Sequence, residues 1–144
     1  MITYGQIVKA VAGALRHVAR VEAYDQISES IVETPTIHVY AESAEVDSAG
    51  DTDRSTLSGA VRVTTIIINA DGYARQRSHL AQDLRAQMDL IDRIDEALLR
   101  SRPPFYGLPD IKAVSWGWER ATLAHGDPAT EYAGVRFTIE ITVF

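Results

Sequence analysis

From Ala133 to Phe144 the chain alternates. Val135, Phe137, Ile139, Ile141 and Val143 fall on one side, and Arg136, Thr138, Glu140 and Thr142 on the other. Successive strand residues face opposite ways, so the segment predicts a strand with one dry face and one wet face. Near the other end, Ile7, Val8, Val11, Ala14, Leu15 and Val18 recur at three- and four-residue spacing. That stripe predicts a helix over about residues 4–20, and Thr3-Tyr4-Gly5-Gln6 supplies a capping box at its start. Thr36 to Ala44 alternates again, with Ile37, Val39 and Ala41 opposite His38, Tyr40 and Glu42. Ala60 to Asn69 is rich in β-branched residues and predicts a second strand. Leu80, Leu84, Met88, Ile91, Ile94 and Leu98 then mark a long helix over about residues 74–100. Asp89–Arg93 and Glu96–Arg100 stand at favourable i,i+4 spacing on it, and Arg102-Pro103-Pro104 ends it. Ile111 to Leu123 is a third strand, with Val114, Trp116 and Trp118 on one face and Gly117 between the tryptophans.

Between these elements lie turn-forming residues. Asp71-Gly72 reads as a turn, Phe105 to Asp110 as another, and His125 to Tyr132 as a hairpin loop. Residues 21–34 lack a clean period and read as an irregular connection or a short strand. The residues from 45 to 58 read as a long acidic hairpin loop, a length usually tied to function or disorder. The order is helix, strand, strand, helix, strand, strand. Consecutive hairpins predict an α+β fold in which an antiparallel four-stranded sheet carries two helices on one face. At 144 residues the chain is expected to form a single domain.

Composition narrows the class. The chain is 46% hydrophobic and 24% charged, as expected of a water-soluble globular domain. Its longest aliphatic run, Ile66-Ile67-Ile68, is far too short to span a membrane, and no signal peptide is expected from the first residues. There is no cysteine, which excludes disulfides, thiolate metal sites and cysteine nucleophiles. A formal charge of −6 argues against a general grip on nucleic-acid backbone. Much of that charge is local: Glu42, Glu45, Asp47, Asp51 and Asp53 stand close together, with Arg54 beside them.

Catalytic patterns are missing. His17, His38, His79 and His125 show no metal-ligand spacing, so no metal, cofactor or catalytic residue is expected. Asp51-Thr52-Asp53 resembles the opening of a calcium loop, but Thr56 and Arg62 occupy the positions that need glycine and glutamate. Trp116 and Trp118 have two readings, core packing beneath the second helix or interface anchors. Residues 60–69 are apolar on both faces near their end. The face bearing Arg62, Thr64, Ile66 and Ile68 is therefore expected to meet another subunit. Phe144, an aromatic on the polar side of the last strand, is expected to pack on a neighbouring subunit or loop. These features favour an assembly module. The competing reading is a small-ligand or enzymatic α+β domain, with Tyr40, Tyr106, Trp116 and His38 around a pocket under the helices.

The plan as a whole resembles the tail terminator, or tail completion, proteins of long-tailed bacteriophages and phage-derived particles. The likeness rests on the opening amphipathic helix Ile7–Val18 and on Thr34-Pro35-Thr36-Ile37-His38-Val39 leading into a strand. It rests further on the V-R-V-T-T-I-I-I strand with Asp-Gly-Tyr-Ala after it, the Trp-bearing strand and the alternating last strand. The resemblance implies a homo-oligomeric ring, usually a hexamer, in the tail–neck region of a virion assembled in the host cytoplasm. Such a ring caps the tail tube, stops its polymerisation, and joins the tail to the head through a neck or head-completion protein. Its partners would be itself, the tail tube protein and that neck protein, with DNA only as passing cargo and no membrane. A head-to-tail ring needs two different surfaces on each subunit. The face carrying Arg62 to Ile68 and the arginine-bearing outer faces of the helices would be these surfaces. Glu42, Glu45, Asp47, Asp51, Asp53 and Arg54 would form a docking or lumenal acidic loop. Another neck or tube component of such a particle shares the same outline.

Overall fold

The computed structural model describes residues 2–49 and 61–143; Ser48, Ala49, Val61 and Arg62 are described in backbone only. Helix α1 spans Tyr4–Leu15, and its capping box is formed. Thr3 Oγ1 accepts the Gln6 backbone N–H at 3.1 Å, and Gln6 Oε1 accepts that of Thr3 at 2.8 Å. Ile7, Val8, Val11, Ala12 and Leu15 are buried. The helix stops short of the predicted boundary because Arg20–Ala23 is a strand, β1, laid parallel against residues 36–39.

Strand β2 runs Thr36–Ala49 and β3 Val61–Gln76, paired antiparallel. Helix α2 spans Leu80–Leu99, β4 Ile111–His125 and β5 Thr130–Val143. The sheet order is β1-β2-β3-β5-β4. The fold is therefore α+β with two helices, as expected, but the sheet has five strands and is mixed. The parallel pair arises because the chain leaves β1 by a long connection and re-enters at the start of β2. A strand of four residues carries too little period to be read locally.

Asp71-Gly72 is not a turn. It lies inside β3, opposite Arg136 and Val135 of β5. A Cβ at Gly72 would stand 2.8 Å from Leu90 Cδ2 and 3.0 Å from Val135 Cγ1. The glycine is required there by the close approach of α2 to the sheet. Gly117, by contrast, pairs regularly with Thr138 and has open space around it, so it marks neither a bulge nor a close approach.

The core lies between the helices and one sheet face. Ile37 and Val39 of β2, Ile66, Ile68 and Ala70 of β3, and Val135 to Ile141 at alternate positions of β5 meet Leu90, Ile91, Ile94 and Leu98 of α2. The predicted stripe of α2 holds only in its second half. Leu80 is 75% exposed and Met88 43%, while Asp83 and Gln87 are buried in their place. Steps of four residues overshoot a full turn by about 40°, so the row Leu80–Leu84–Met88 winds off the core-facing side. Glu96 and Arg100 form their ion pair at 2.7 Å. Arg93 does not pair with Asp89; its guanidinium donates to the carbonyl of Val18, in the turn that follows α1.

Candidate interaction surfaces

Strand register decides which face of β3 is available. Ile66 stands opposite Ile141 and Ile68 opposite Ile139, all in the core. Ile66 is 1% exposed, Ile68 0% and Thr64 7%. These residues face the helices of their own chain, so they offer no surface to a neighbour, and the expectation that placed them at an interface is corrected. The side chain of Arg62, and Phe144 altogether, lie outside the described residues.

The opposite face of the sheet is polar and organised. Arg136 of β5 grips Asp71 of β3 through both carboxylate oxygens, Nε to Oδ1 at 2.7 Å and Nη2 to Oδ2 at 3.0 Å. Tyr40 of β2 donates to the same Oδ2 at 2.8 Å. The hydrogen bond from Arg136 to Asp71 pushes the guanidinium pKa above its ordinary value. Burial first, and then the Asp71 carboxylate, raise that of Tyr40. Beside them Asn69 is buried with its side-chain oxygen unpartnered. Such charge-assisted, bidentate pairs fix geometry across three strands.

Further along the same face lies a second cluster. His38 Nε2 is 3.2 Å from Glu22 Oε1, and Glu22 Oε2 accepts the Ser28 hydroxyl at 2.8 Å. His125 Nε2 is 2.7 Å from the Ser28 carbonyl oxygen and donates to it. The rings of His38, Tyr73 and His125 stack edge on, with His38 4.8 Å from each of the other two. This arrangement ties the connection after β1 across the sheet. Burial, and then the neighbouring His125, lower the His38 pKa against the opposing pull of Glu22. Burial would raise the Glu22 pKa, but the hydrogen bonds from Ser28 together with His38 bring it below its usual value. Burial pushes the Tyr73 phenol up to about 12.

Both sides of the sheet end in an open edge. β1 covers only residues 36–39 of β2, so β2 from Ala41 onward has no strand on its outer side among the described residues. On the far side, β4 is the last strand along its whole length among the described residues. Residues 41–47 are exposed one after another, Glu42, Glu45 and Asp47 among them. Part of the predicted loop is thus strand: the hairpin arm continues in β-ladder to Ala49 and Val61. Asp51, Asp53 and Arg54 lie outside the described residues.

The tryptophans divide between the two readings. Trp116 packs against the core and donates from Nε1 to Asp95 Oδ1 of α2 at 2.8 Å. Trp118, two residues on, is 46% exposed. Gln87 of α2 donates to the Gly134 carbonyl at 2.7 Å, closing the seam from the other end. Leu80 and Met88 of α2 are exposed apolar residues as well.

The suspected ligand residues do not converge. His38 and Tyr40 stand on the face away from the helices, while Tyr106 and Trp116 pack on the helix side. Tyr106 keeps a buried, unpartnered hydroxyl, which burial pushes up to about 12. Two open clefts flank the first half of α2. One is lined by Arg75, Gln82, Arg85, Ala86 and Asp89, the other by residues including Arg77, Asp83, Arg120 and Glu131. Among the described residues no group of histidine and carboxylate side chains is arranged to hold a metal ion, and no helix is long and apolar enough to cross a membrane. Asp71, Arg136, Glu22 and His125 had no sequence signal. Asp71 and Arg136 are 65 positions apart, and only the β3–β5 register brings them together.

No family model matches the chain, and no curated protein matches it.

Proposed function

We propose that this chain is a structural virion protein, a tail terminator of a long-tailed phage or phage-derived particle. It acts without catalysis, as a ring that caps the tail tube, stops subunit addition and joins the tail to a neck protein. The observation that carries this reading is the acidic hairpin arm. Exposed Glu42 and Glu45 line the outer edge of β2, and β2 and β3 then extend past the last β3–β5 pair, Thr64 with Val143, carrying exposed Asp47 beyond it. An exposed arm of one charge sign suits docking on a basic collar of a tube or neck protein. If it lines the channel, the same charge keeps passing DNA from adhering. The two open edges on opposite sides of the sheet provide the two unlike surfaces that a closed head-to-tail ring requires. The plan of helix, strands, helix and strands that resembles this family supports the same reading.

The test is deletion of the gene from its particle. Tails of uncontrolled length that fail to join heads are expected in electron micrographs. Infectious particles with tails of normal, uniform length would overturn the proposal.

A further inference from the structure

The two open edges fit each other. β1 and β2 run in one direction, β3 against them, β5 with them and β4 against them. In copies related by rotation about an axis along the strands, β2 of the next copy therefore meets β4 antiparallel, the ordinary ladder. The part of β2 that is free to do so is the part β1 leaves uncovered. Register places that part level with the start of β4: Ala41 lines up through Ile68 and Ile139 with Trp116, and Glu45 through Thr65 and Thr142 with Ala113. Unprotected edges of this length are templates for pairing, and β4 carries no proline to block it.

Charge agrees at the same level. The free stretch of β2 exposes Glu42, Glu45 and Asp47. The segment that enters β4 carries Arg102 and Lys112, with Asp110 between them, while Arg100 is held by Glu96. Arg102 and Lys112 are exposed.

We propose that the occupant of the β4 edge is a second copy of this chain. The acidic stretch of β2, Ala41 onward, adds antiparallel to the first half of β4 of its neighbour, with Glu45 level with Ala113, beside Lys112, and Arg102 in the segment leading into that strand. The contact is heterologous, so in a closed ring its repetition makes the sheets continuous from copy to copy. This deepens the ring reading above and rests on it for closure, but the pairing itself is measured without any phage.

Sedimentation velocity and light scattering on the purified full chain test it. The wild type is expected to self-associate. E42K/E45K alone and R102E/K112E alone are each expected to weaken association at least about tenfold, since like charges at a contact repel strongly. An equimolar mixture of the two variants is expected to recover association, because each supplies the edge the other has lost. Circular dichroism and urea unfolding confirm that both variants are folded, and Met88→Glu serves as a control on the exposed side of α2. A wild type that stays monomeric overturns the proposal. So does an oligomer untouched by both charge reversals, or one dissolved by Met88→Glu in their stead. In that last pair of outcomes the ring reading survives with a different contact, whereas normal tails in the deletion strain remove the tail reading and leave the edge pairing standing.

Discussion

The helix-covered face of the sheet and the buried patch on its other face, around Glu22, His38, Asn69, Asp71 and Tyr73, are closed to water by different physics, while Thr138 and Glu140 beside that patch stay exposed. On the helix side, Phe137, Ile139 and Ile141 meet Ile66 and Ile68 beneath α2, and the contact is apolar throughout. On the other side, Asp71 and His38 are equally hidden, yet each is held by charged or hydrogen-bonding partners from distant parts of the chain. The first face gains by removing area from water and tolerates imprecision. The second gains only while every partner is in place, because an unpaired buried polar group costs more than the pair contributes. Stability therefore rests on the first face, and strand registration on the second.

The largest expected effect breaks the apolar face. Phe137→Ala removes a fully buried ring at the centre of the core and is expected to cost about 3–5 kcal/mol in urea unfolding. A loss below about 1 kcal/mol would show that the layer repacks freely and that the contrast is overdrawn. Next, Asp71→Ala leaves Arg136 and the Tyr40 hydroxyl without their shared acceptor. The Arg136 side chain is 37% exposed, so water recovers part of the loss and the expected cost is about 1–2 kcal/mol. Arg136→Ala on top of it should cost little more, and an additive double mutant would refute the coupling.

The smallest effect separates the faces by pH. The His38 pKa is lower in the folded protein than its ordinary 6.5. The unfolded chain therefore takes up the proton first, and stability falls as pH drops below that value. The Glu22 pKa lies below its ordinary 4.5, so its contribution is present above that pH and lost on further acidification. His38→Gln is expected to flatten the stability profile between pH 7 and 5, while Phe137→Ala leaves the slope unchanged. Equal slopes in wild type and His38→Gln would overturn this account.

What could be read from the sequence follows from the range of the interaction. The capping box of Thr3 and Gln6 acts over three residues, and the alternation of β5 repeats every two, so both were legible. Gly72 misleads because its reason lies in α2, beyond any local pattern, and Asp-Gly reads as a turn wherever it stands. Ile66, Ile67 and Ile68 are chemically interchangeable, and only the register with Ile139 and Ile141 says which of them are buried. The first turns of α2 carry leucine and methionine at helical spacing, but Asp83 and Gln87 take the inner positions, tied to the Ser78 backbone N–H and the Gly134 carbonyl. The polar cluster was invisible because its members are gathered from five segments of the chain.

The place of β5 between β3 and β4 has a consequence for how the molecule comes together. Among the described residues β4 pairs with no strand but β5, and β5 follows it in the chain. The β3–β5 ladder joins residues as far apart as Thr64 and Val143. Growth of the sheet cannot proceed strand by strand in order of appearance. α1 with β1, β2 and β3 forms a unit whose strand partners lie closer in the chain than those of β3 with β5, and β4 waits with both edges bare until β5 slots in between. Closing so long a loop is slow in entropy alone. A refolding chain should thus pass through an interval in which the α1–β3 half is protected from hydrogen exchange and the tryptophan strand is not.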